Sequence, residues 1–255
     1  MDAIHSEIMI TEDAGSLSRA AAKLIVRQIG EQLQKKEYFA FALSGGSTPK
    51  SLYSLFANDA AFNTKVPWNK VHFFWGDERH VSPDHPESNY RMANETMLSK
   101  LPVPQENIHR VISENSDAES AAAQYEQELR AFFHLTIGQL PRFDCVLLGM
   151  GPDGHTASLF PETSALNIQE RMVVANWIEK FESYRITMTA PVFNNADCVI
   201  FMISGDKKAE TLHLVLQGEK QPHHFPAQLI QPAYGRLLWI IDRAAARNLK
   251  VQVGE

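Results

Sequence analysis

Short apolar runs alternate with longer amphipathic segments along most of the chain. Apolar runs of about four to eight residues are typical of buried strands, and apolar positions repeated every three or four residues are typical of packed helices. The apolar runs predict strands at Tyr38–Leu43, Val71–Trp75, Phe143–Leu148, Met172–Trp177, Arg185–Thr189, Cys198–Ser204 and Leu237–Ile241. The amphipathic segments predict helices at Leu17–Lys36, Pro49–Phe56, Asn89–Leu98, Asp117–Phe133, Lys207–Leu216 and Arg243–Arg247.

Several helix starts carry capping chemistry. Thr48 precedes Pro49, which is the order of a cap followed by proline at the first helical position. Ser116 and Glu119 have the spacing of a capping box, and Asp242 precedes the last short helix. These signals support three of the predicted helix starts.

Strands separated by helices of this length indicate βαβ units, so the fold class predicted is α/β. We expect a mainly parallel, open, Rossmann-like sheet with helices on both faces. No repeat, low-complexity segment or clear linker interrupts the pattern, and Gly218–Pro226 is the most loop-like interior segment. The prediction is one domain over residues 1–255, with room for a small lid or subdomain.

The composition and net charge limit the classes of partner that the protein is expected to bind. The 255 residues are 44% hydrophobic and 21% charged, which suffices for a full core, and the net charge is −6. This balance argues against nucleic acid and anionic membranes as partners, but a local cluster of cations still permits a small anionic ligand. The sequence leaves the oligomeric state open, as a monomer or a small homo-oligomer.

Cysteine usage and the first residues favour a cytoplasmic location. Cys145 and Cys198 each lie in an apolar run, so we expect buried core thiols and no disulfide scaffold. Residues Met1–Glu7 lack the basic and apolar regions of a signal peptide. The longest apolar runs, such as Cys198–Ile203, are too short to span a bilayer.

The segment Gly149–Pro161 carries the most chemistry. It follows the predicted strand Phe143–Leu148 and offers two further glycines, Gly151 and Gly154, together with Asp153 and His155. The carboxyl end of a parallel strand is where open α/β sheets bind ligands. His155 is therefore a candidate general base, and the alternative is a plain polar turn.

The segment Ser44–Pro49 joins a strand to a helix through adjacent glycines. Free backbone N–H groups at a helix N-terminus favour an anion, and the hydroxyl residues add donors. The pattern is neither a Walker A sequence nor a dinucleotide motif, so it predicts a site for a single phosphate. The alternative is a tight turn without a ligand. The candidate residues are Ser44, Gly45, Gly46, Ser47 and Thr48.

Charged residues follow the strand Val71–Trp75. Because side chains alternate along a strand, at most two of Asp77, Glu78 and Arg79 are expected to face the site, and the third has a scaffold role. A solvated charge run is the alternative. His72, within the strand, is expected to be a packed or edge histidine.

Three further cations are candidates. Arg185 begins a predicted strand, and Lys207 and Lys208 open a helix. A cation at a helix N-terminus opposes the macrodipole unless a bound anion offsets it. One lysine is therefore a candidate phosphate ligand, although exposed inert lysines remain the alternative.

Metal and serine-nucleophile chemistry are not predicted. His80, His85 and His155, with Asp77 and Asp153, have no spacing typical of metal ligands. The chain also lacks a Gly-x-Ser-x-Gly nucleophile elbow.

Together these motifs resemble those of a known family. The order of segments is similar to that of the short 6-phosphogluconolactonases, which are related to the glucosamine-6-phosphate deaminases. The resemblance extends from about Ala40 to Ala245 and rests on Ser44–Pro49, Gly76–Arg79, Ser88–Tyr90, Gly149–Pro161, Arg185–Thr187, Lys208–Ala209 and Trp239–Ala245.

The resemblance implies hydrolysis of 6-phospho-D-glucono-1,5-lactone in the pentose phosphate pathway, without a metal or organic cofactor. The sister deaminases carry Asp-Glu-Tyr where this chain has Asp77-Glu78-Arg79, and Phe-Asn-Glu-Pro where it has Ser158–Pro161. Phe160 stands at the position of the deaminase glutamate, and an apolar residue there argues against amine release. A non-catalytic sugar-phosphate-binding regulator is the second alternative, but the added DNA-binding segment usual for such proteins is missing.

The implied roles follow from lactone chemistry, which needs a base for the attacking water and donors for the oxyanion. We assign the base to His155, its orientation to Asp153, and oxyanion or phosphate stabilisation to Arg79, with Asp77 holding Arg79 or a sugar hydroxyl. The family pattern of Lys before Ala selects Lys208 over Lys207. The predicted substrate-binding residues are Ser44, Gly45, Gly46, Ser47, Thr48, Ser88, Asn89, Gly151, Gly154, Arg185 and Lys208.

Overall fold

Ten strands and eight α-helices make up the regular structure in a computed structural model, which describes residues 6–250. The strands are β1 (Ser6–Thr11), β2 (Phe39–Leu43), β3 (Val71–Trp75), β4 (Asp77–Arg79), β5 (Ile108–His109), β6 (Cys145–Leu148), β7 (Val173–Ile178), β8 (Ser183–Met188), β9 (Cys198–Ile203) and β10 (Arg236–Asp242). The helices are α1 (Ala14–Gln32), α2 (Ser47–Asn58), α3 (Ala60–Asn63), α4 (Asn89–Thr96), α5 (Ala118–Phe132), α6 (Ala190–Asn194), α7 (Ala209–Gln217) and α8 (Arg243–Ala246).

Seven of the strands form one sheet in the order β1-β10-β9-β6-β2-β3-β5, and every neighbouring pair is parallel. The chain builds one half from β2 outward to β5, then crosses back to place β6 on the other side of β2. The strand order therefore reverses between β2 and β6. Such a reversal opens a crevice beyond the carboxyl ends of the two strands, and this is where open α/β sheets bind ligands.

The core lies on both faces of this sheet because each central strand is apolar on both sides. In β2, Ala40 and Ala42 pack in one buried cluster, and Phe39, Phe41 and Leu43 pack in the other. The first cluster includes α5, α7 and the inner side of β7 and β8; the second includes α1 and α2. Burial on both faces explains why these strands read as continuous apolar runs.

A second, smaller sheet is antiparallel and has the order β4-β8-β7. Asp77 pairs with Thr187 and Arg79 pairs with Arg185. Directly opposed residues project from the same face of a sheet, so these four side chains share one polar face. Ile186, on the other face, is fully buried in the main core. The small sheet thus turns one polar face away from the core.

The α/β class and the parallel sheet with helices on both faces are confirmed. The strands predicted at Met172–Trp177 and Arg185–Thr189 exist, but they belong to the antiparallel sheet. Three strands were not predicted: β1, an exposed edge strand, β4, which has only three residues, and β5, which has two. Short or solvent-facing strands carry little periodicity, so their signal is weak.

Two of the predicted caps were wrong and one was right. Helix α2 begins at Ser47 with Gly46 as its N-cap, so Thr48 lies inside the helix. Helix α5 is capped by Asp117, whose carboxylate accepts from the Ser120 N–H, and not by Ser116. Asp242 caps α8 as predicted, by accepting from the Ala245 N–H.

The structure also bears on the predictions for the two cysteines and for membrane-spanning segments. The thiols of Cys145 and Cys198 are free and buried, as predicted. No helix within residues 6–250 combines the length and the apolar character needed to cross a membrane.

Candidate active site

A cavity of about 270 Å³ lies beyond the carboxyl ends of β2 and β6, at the point where the strand order reverses. Its wall combines the turn after β2, the glycine-rich segment after β6, and residues from β4, α4 and the loop after β9. The lining residues are Ser44, Gly45, Gly46, Ser47, Thr48, Pro49, Asp77, Arg79, Asn89, Gly149, Met150, Gly151, Pro152, His155, Ala157, Met202 and Lys208.

The turn after β2 presents unsatisfied backbone donors. Helix α2 starts at Ser47 and no side chain caps its first N–H groups. The backbone N–H of Ser44 is instead bound to the Tyr53 hydroxyl at 3.0 Å, which fixes the base of the turn. Gly46 has φ +99°, a conformation that favours glycine. The result is a rigid helix N-terminus open to an anion.

The close contact between this turn and α4 depends on a second glycine. A Cβ at Gly45 would lie 1.9 Å from Asn89 Oδ1, so only glycine fits there. The Asn89 amide donates to the carbonyl oxygen of Asp77 at 2.9 Å. Asn89 therefore ties the glycine-containing turn after β2 to β4.

The three charged residues of β4 divide into two roles. Asp77 and Arg79 line the cavity, and Glu78 does not. The Glu78 carboxylate accepts from the backbone N–H groups of Asn89 and Tyr90, each at 2.8 Å, and from the Ser88 hydroxyl at 3.1 Å. Burial raises the pKa of Glu78, and these backbone hydrogen bonds act in the opposite direction. Glu78 thus anchors the start of α4, as alternation along the strand predicts for one residue of the three.

Ser88 belongs to the same scaffold. It is buried, its hydroxyl accepts from the Arg91 N–H as the N-cap of α4, and it does not line the cavity. Arg79 bonds through its guanidinium to the backbone carbonyl of Glu87. The side-chain bonds of Ser88 and Arg79 therefore hold the loop before α4 against β4.

Asp77 is held by the segment after β6. The Ser158 hydroxyl donates to Asp77 Oδ2 at 2.6 Å, and both residues are buried. Asn176 donates in turn to the Ser158 carbonyl at 2.9 Å. These bonds fix the orientation of the Asp77 carboxylate at the cavity wall.

His155 and Asp153 form a carboxylate–imidazole pair. The His155 Nδ1 lies 2.5 Å from Asp153 Oδ1. Burial acts to raise the pKa of Asp153, but the hydrogen bond and charge of His155 outweigh it, and the pKa lies below its usual range. An ionised carboxylate selects the tautomer with a proton on Nδ1, which leaves Nε2 as an acceptor.

The imidazole is also fixed by packing. It stacks on the Phe160 ring at 4.0 Å between centroids, and a Cβ at Gly151 would lie 2.1 Å from the His155 ring. Gly154 has φ +80°, and a Cβ there would lie 2.9 Å from the Phe225 ring. Gly151 therefore leaves space for the histidine, and Gly154 supports the turn without lining the cavity.

Of the predicted cations, Lys208 lines the cavity and Lys207 is exposed outside it. Burial lowers the pKa of Lys208, while the Asp242 carboxylate acts to raise it. Arg185 is buried but does not line the cavity. Burial, followed by the charge of Arg79, lowers the pKa of Arg185.

Sequence reasoning missed several lining residues. Ala157 takes φ +47°, which is unusual for alanine, and Met202 lies near the carboxyl end of β9. Met150 and Pro152 belong to the glycine-rich segment, whose strand-end position is a signal for all of its members. The tether role of Ser158 had no sequence signal, because its partner is remote in the chain.

None of the histidines His72, His80 and His85 lines the cavity. His80 bonds to the carbonyl of Asn115 at 2.6 Å, and His85 is exposed. His72 lies in β3 beside His109 at 3.0 Å, and burial lowers its pKa to about 4. Within the described part of the chain, no three His, Cys, Asp or Glu residues form a group that suits a metal ion. The independence of the reaction from metal stays a prediction.

The fold and the cavity define an α/β protein with an uncapped helix N-terminus and a histidine–carboxylate pair at the edge of its parallel sheet. The chain belongs to the family described as glucosamine-6-phosphate isomerases/6-phosphogluconolactonase, whose model matches residues 12–239.

Similar proteins within this family carry the name of one of its two enzymes, 6-phosphogluconolactonase. A 6-phosphogluconolactonase of Nostoc sp. is 42% identical over 244 residues, which cover 96% of this chain and 98% of that protein. A 6-phosphogluconolactonase of Synechocystis sp. is 41% identical over 234 residues, with 92% and 94% covered. The solved structure of 6-phosphogluconolactonase from Trypanosoma cruzi has a TM-score of 0.85 at 29% identity, over 97% of this chain and 98% of that one.

Proposed function

We propose that this protein is a 6-phosphogluconolactonase, which hydrolyses 6-phospho-D-glucono-1,5-lactone to 6-phosphogluconate in the oxidative branch of the pentose phosphate pathway. Relatives with this name match nearly the whole chain at 41–42% identity. The observation that carries the proposal is one cavity that joins an uncapped helix N-terminus and Lys208 to the Asp153–His155 pair. A phosphorylated lactone needs a positively charged site for its phosphate and a base for the water that attacks its carbonyl group.

The first step is attack of water on the lactone carbonyl carbon. His155 Nε2 accepts the proton of that water, because Asp153 holds Nδ1 in its protonated form. The new C–O bond converts the carbonyl into a tetrahedral oxyanion. Arg79 lines the same cavity and supplies a positive charge for this oxyanion or for the phosphate.

The second step is collapse of the oxyanion. The bond from the carbonyl carbon to the ring oxygen breaks, and the protonated His155 returns its proton to that oxygen. The product is an open-chain acid, which ionises to the carboxylate. Neither step requires a change of oxidation state or a group from a cofactor.

The phosphate is assigned to the backbone N–H groups of Gly46, Ser47 and Thr48, with Lys208 as the nearby cation. A helix N-terminus and an ammonium group both favour a dianion. Asp77, held by Ser158, is assigned to a sugar hydroxyl. Ser44, Gly45 and Asn89 shape the turn, and Arg185 adds positive charge from the small sheet.

Phe160 argues against the deaminase alternative. The deaminase mechanism requires a carboxylate from this segment to orient the histidine, and here the Phe160 ring stacks on His155. The carboxylate that contacts His155 comes instead from Asp153, which precedes the histidine in sequence, whereas Phe160 follows it. The arrangement supports hydrolysis over release of an amine.

The wider context is also proposed. We assign the two sheets to a single α/β domain in which the small sheet forms a subdomain beside the cavity. The relation to metabolic enzymes supports a cytoplasmic location. The net charge of −6 supports a small-molecule substrate without nucleic acid or membrane partners.

The test is a lactonase assay on freshly prepared 6-phosphogluconolactone, corrected for spontaneous ring opening. We expect enzymatic hydrolysis and no release of ammonia from glucosamine 6-phosphate. Ammonia release without lactone hydrolysis would identify the deaminase instead. Tight sugar-phosphate binding without either reaction would identify the regulator.

A further inference from the structure

Arg185 is a buried cation of the small sheet. It is 9% exposed, and its guanidinium forms no hydrogen bond or ion pair with another side chain of residues 6–250. Burying an unpaired charge is costly, so such a group normally has an anionic ligand when the protein is at work. The residue directly opposed to it across the strand pair is another cation, Arg79.

The small sheet directs Arg185 toward the substrate side. Arg185 is opposite Arg79 across the β4–β8 pair, and Thr187 is opposite Asp77. Opposed residues project from one face of a sheet, and Asp77 and Arg79 line the cavity from that face. Arg185 therefore lies on the face that meets the substrate, although it does not itself line the cavity.

One aromatic ring contacts this guanidinium. Phe181 lies in the turn between β7 and β8, and the Arg185 guanidinium carbon is 5.2 Å from the centroid of its ring. This distance is within the range of a cation–π interaction. Phe181 also packs at 5.9 Å against Phe160, the ring that stacks on His155. Contacts of the Phe181 and Phe160 rings thus link the Arg185 guanidinium to the His155 imidazole.

We propose that Phe181 is a positioning residue, whose ring holds the Arg185 guanidinium beside Arg79 for the anionic group of the substrate. The inference rests on the proposed function, because that function supplies the anion. Two like charges in direct cross-strand register repel each other. Without the ring, the guanidinium loses its cation–π contact, and binding must then order it at a greater entropic cost.

The exposure of Phe181 supports a role beyond packing. Its side chain is 45% exposed, so it contributes little to the buried core. Tyr184, near the start of β8, offers a matched control: it is 41% exposed, but its ring packs on Trp177 at 5.0 Å and not on a cation. Replacing either aromatic residue by leucine removes a similar exposed ring.

The experiment measures binding of inorganic phosphate by calorimetry and, separately, the kinetics on the phosphorylated lactone. The variants are Phe181→Leu, Phe181→Tyr, Tyr184→Leu and Arg185→Ala, together with the Phe181→Leu/Arg185→Ala double variant. Thermal unfolding confirms that each variant is folded. Phe181→Tyr retains an aromatic face and is the rescue variant.

We expect Phe181→Leu to weaken phosphate binding and to raise KM by roughly two- to thirtyfold, the range of a cation–π interaction. Phe181→Tyr and Tyr184→Leu are expected to match the wild type, and Phe181→Leu is expected to add nothing to Arg185→Ala. Equal effects of Phe181→Leu and Tyr184→Leu, tighter phosphate binding, or additive effects in the double variant would overturn the inference. A wild-type protein that binds phosphate but hydrolyses no lactone would overturn the proposed function while leaving the binding comparison valid.

Discussion

The Ser158 hydroxyl donates a 2.6 Å hydrogen bond to the Asp77 carboxylate across a separation of 81 residues. Ser158 is 2% exposed and Asp77 is 8% exposed, so the bond is shielded from water. It joins the segment that carries His155 to the small sheet that carries Arg79. The relative position of His155 and Arg79 therefore depends on this contact.

Ser158→Ala is expected to destabilise the protein and impair the reaction together. A hydrogen bond to a charged group contributes about 1.5–3 kcal/mol. Its loss leaves the Asp77 carboxylate with the longer contact from the Asn89 amide, at 3.4 Å. We expect the free energy of unfolding in urea to fall by about 1.5–3 kcal/mol. Ser51→Ala is the control, because the exposed Ser51 hydroxyl donates only to the Ser47 carbonyl. Equal stabilities of the two variants would contradict the tether.

His155→Asn is expected to lower kcat by roughly 10²–10⁴-fold, the range for loss of an acid–base group. Asn retains the approximate size and polarity of the side chain, so the fold is expected to survive. The measurement is a steady-state assay on the phosphorylated lactone, with thermal unfolding as the control. A kcat close to that of the wild type would exclude His155 as the base.

Asp153→Asn tests the orientation of the imidazole and its pH dependence. The pKa of Asp153 lies below its usual range because of its bond to His155. A carboxyl with a lowered pKa stabilises the fold at pH values above its unfolded pKa, about 3.9, and loses this contribution as the pH falls through the folded pKa.

We therefore expect Asp153→Asn to lower Tm at about pH 7 and to match the wild type under strongly acidic conditions, about pH 2. The shift is expected to be small, because the side chain is 32% exposed and water screens the pair. Catalysis should fall at least roughly tenfold, because the amide no longer selects the Nδ1-protonated tautomer. A Tm difference that grows toward acid would contradict the assignment.

Lys208→Ala is expected to reduce kcat/KM on the phosphorylated lactone by roughly tenfold to over a hundredfold, since a charge-assisted contact contributes about 1.5–3 kcal/mol. The reduction should largely vanish on unphosphorylated gluconolactone, which lacks the partner of the ammonium group. Lys207→Ala is the matched control, because Lys207 is exposed and lies outside the cavity. Equal losses on the two lactones would move Lys208 to a structural role.

Removal of metal is expected to leave the activity intact. Attack on an activated ester proceeds with a general base alone, and the described residues offer no cluster that suits a metal ion. The check is an assay after prolonged dialysis against a chelator. Activity that disappears and returns only with an added divalent ion would show that Asp77, Asp153 and His155 have a different role.

Much of the architecture is predictable from the chain because its signals are local. Continuous apolar runs in β2, β6 and β9 reflect burial on both faces of a parallel sheet, and they were recognised on that basis. The small sheet was not recognised. An apolar run has the same appearance in either sheet, and β4 has only three residues, too few for a periodic pattern.

The sequence by itself determined the segments that carry the chemistry. Gly149–Pro161 and Ser44–Pro49 are contiguous, and each segment carries its glycines and hydroxyls together; the first also contains the contact of Asp153 with His155. The division between Glu78 and its two neighbours also follows from alternation along a strand.

Only the tertiary structure decided how remote side chains meet. The tether from Ser158 to Asp77 and the opposition of Arg79 and Arg185 depend on sheet register and on how the strand ends converge. Register is fixed by the packing of whole elements against the core. No short stretch of the chain contains that information, so these contacts become visible only when the sheets are assembled.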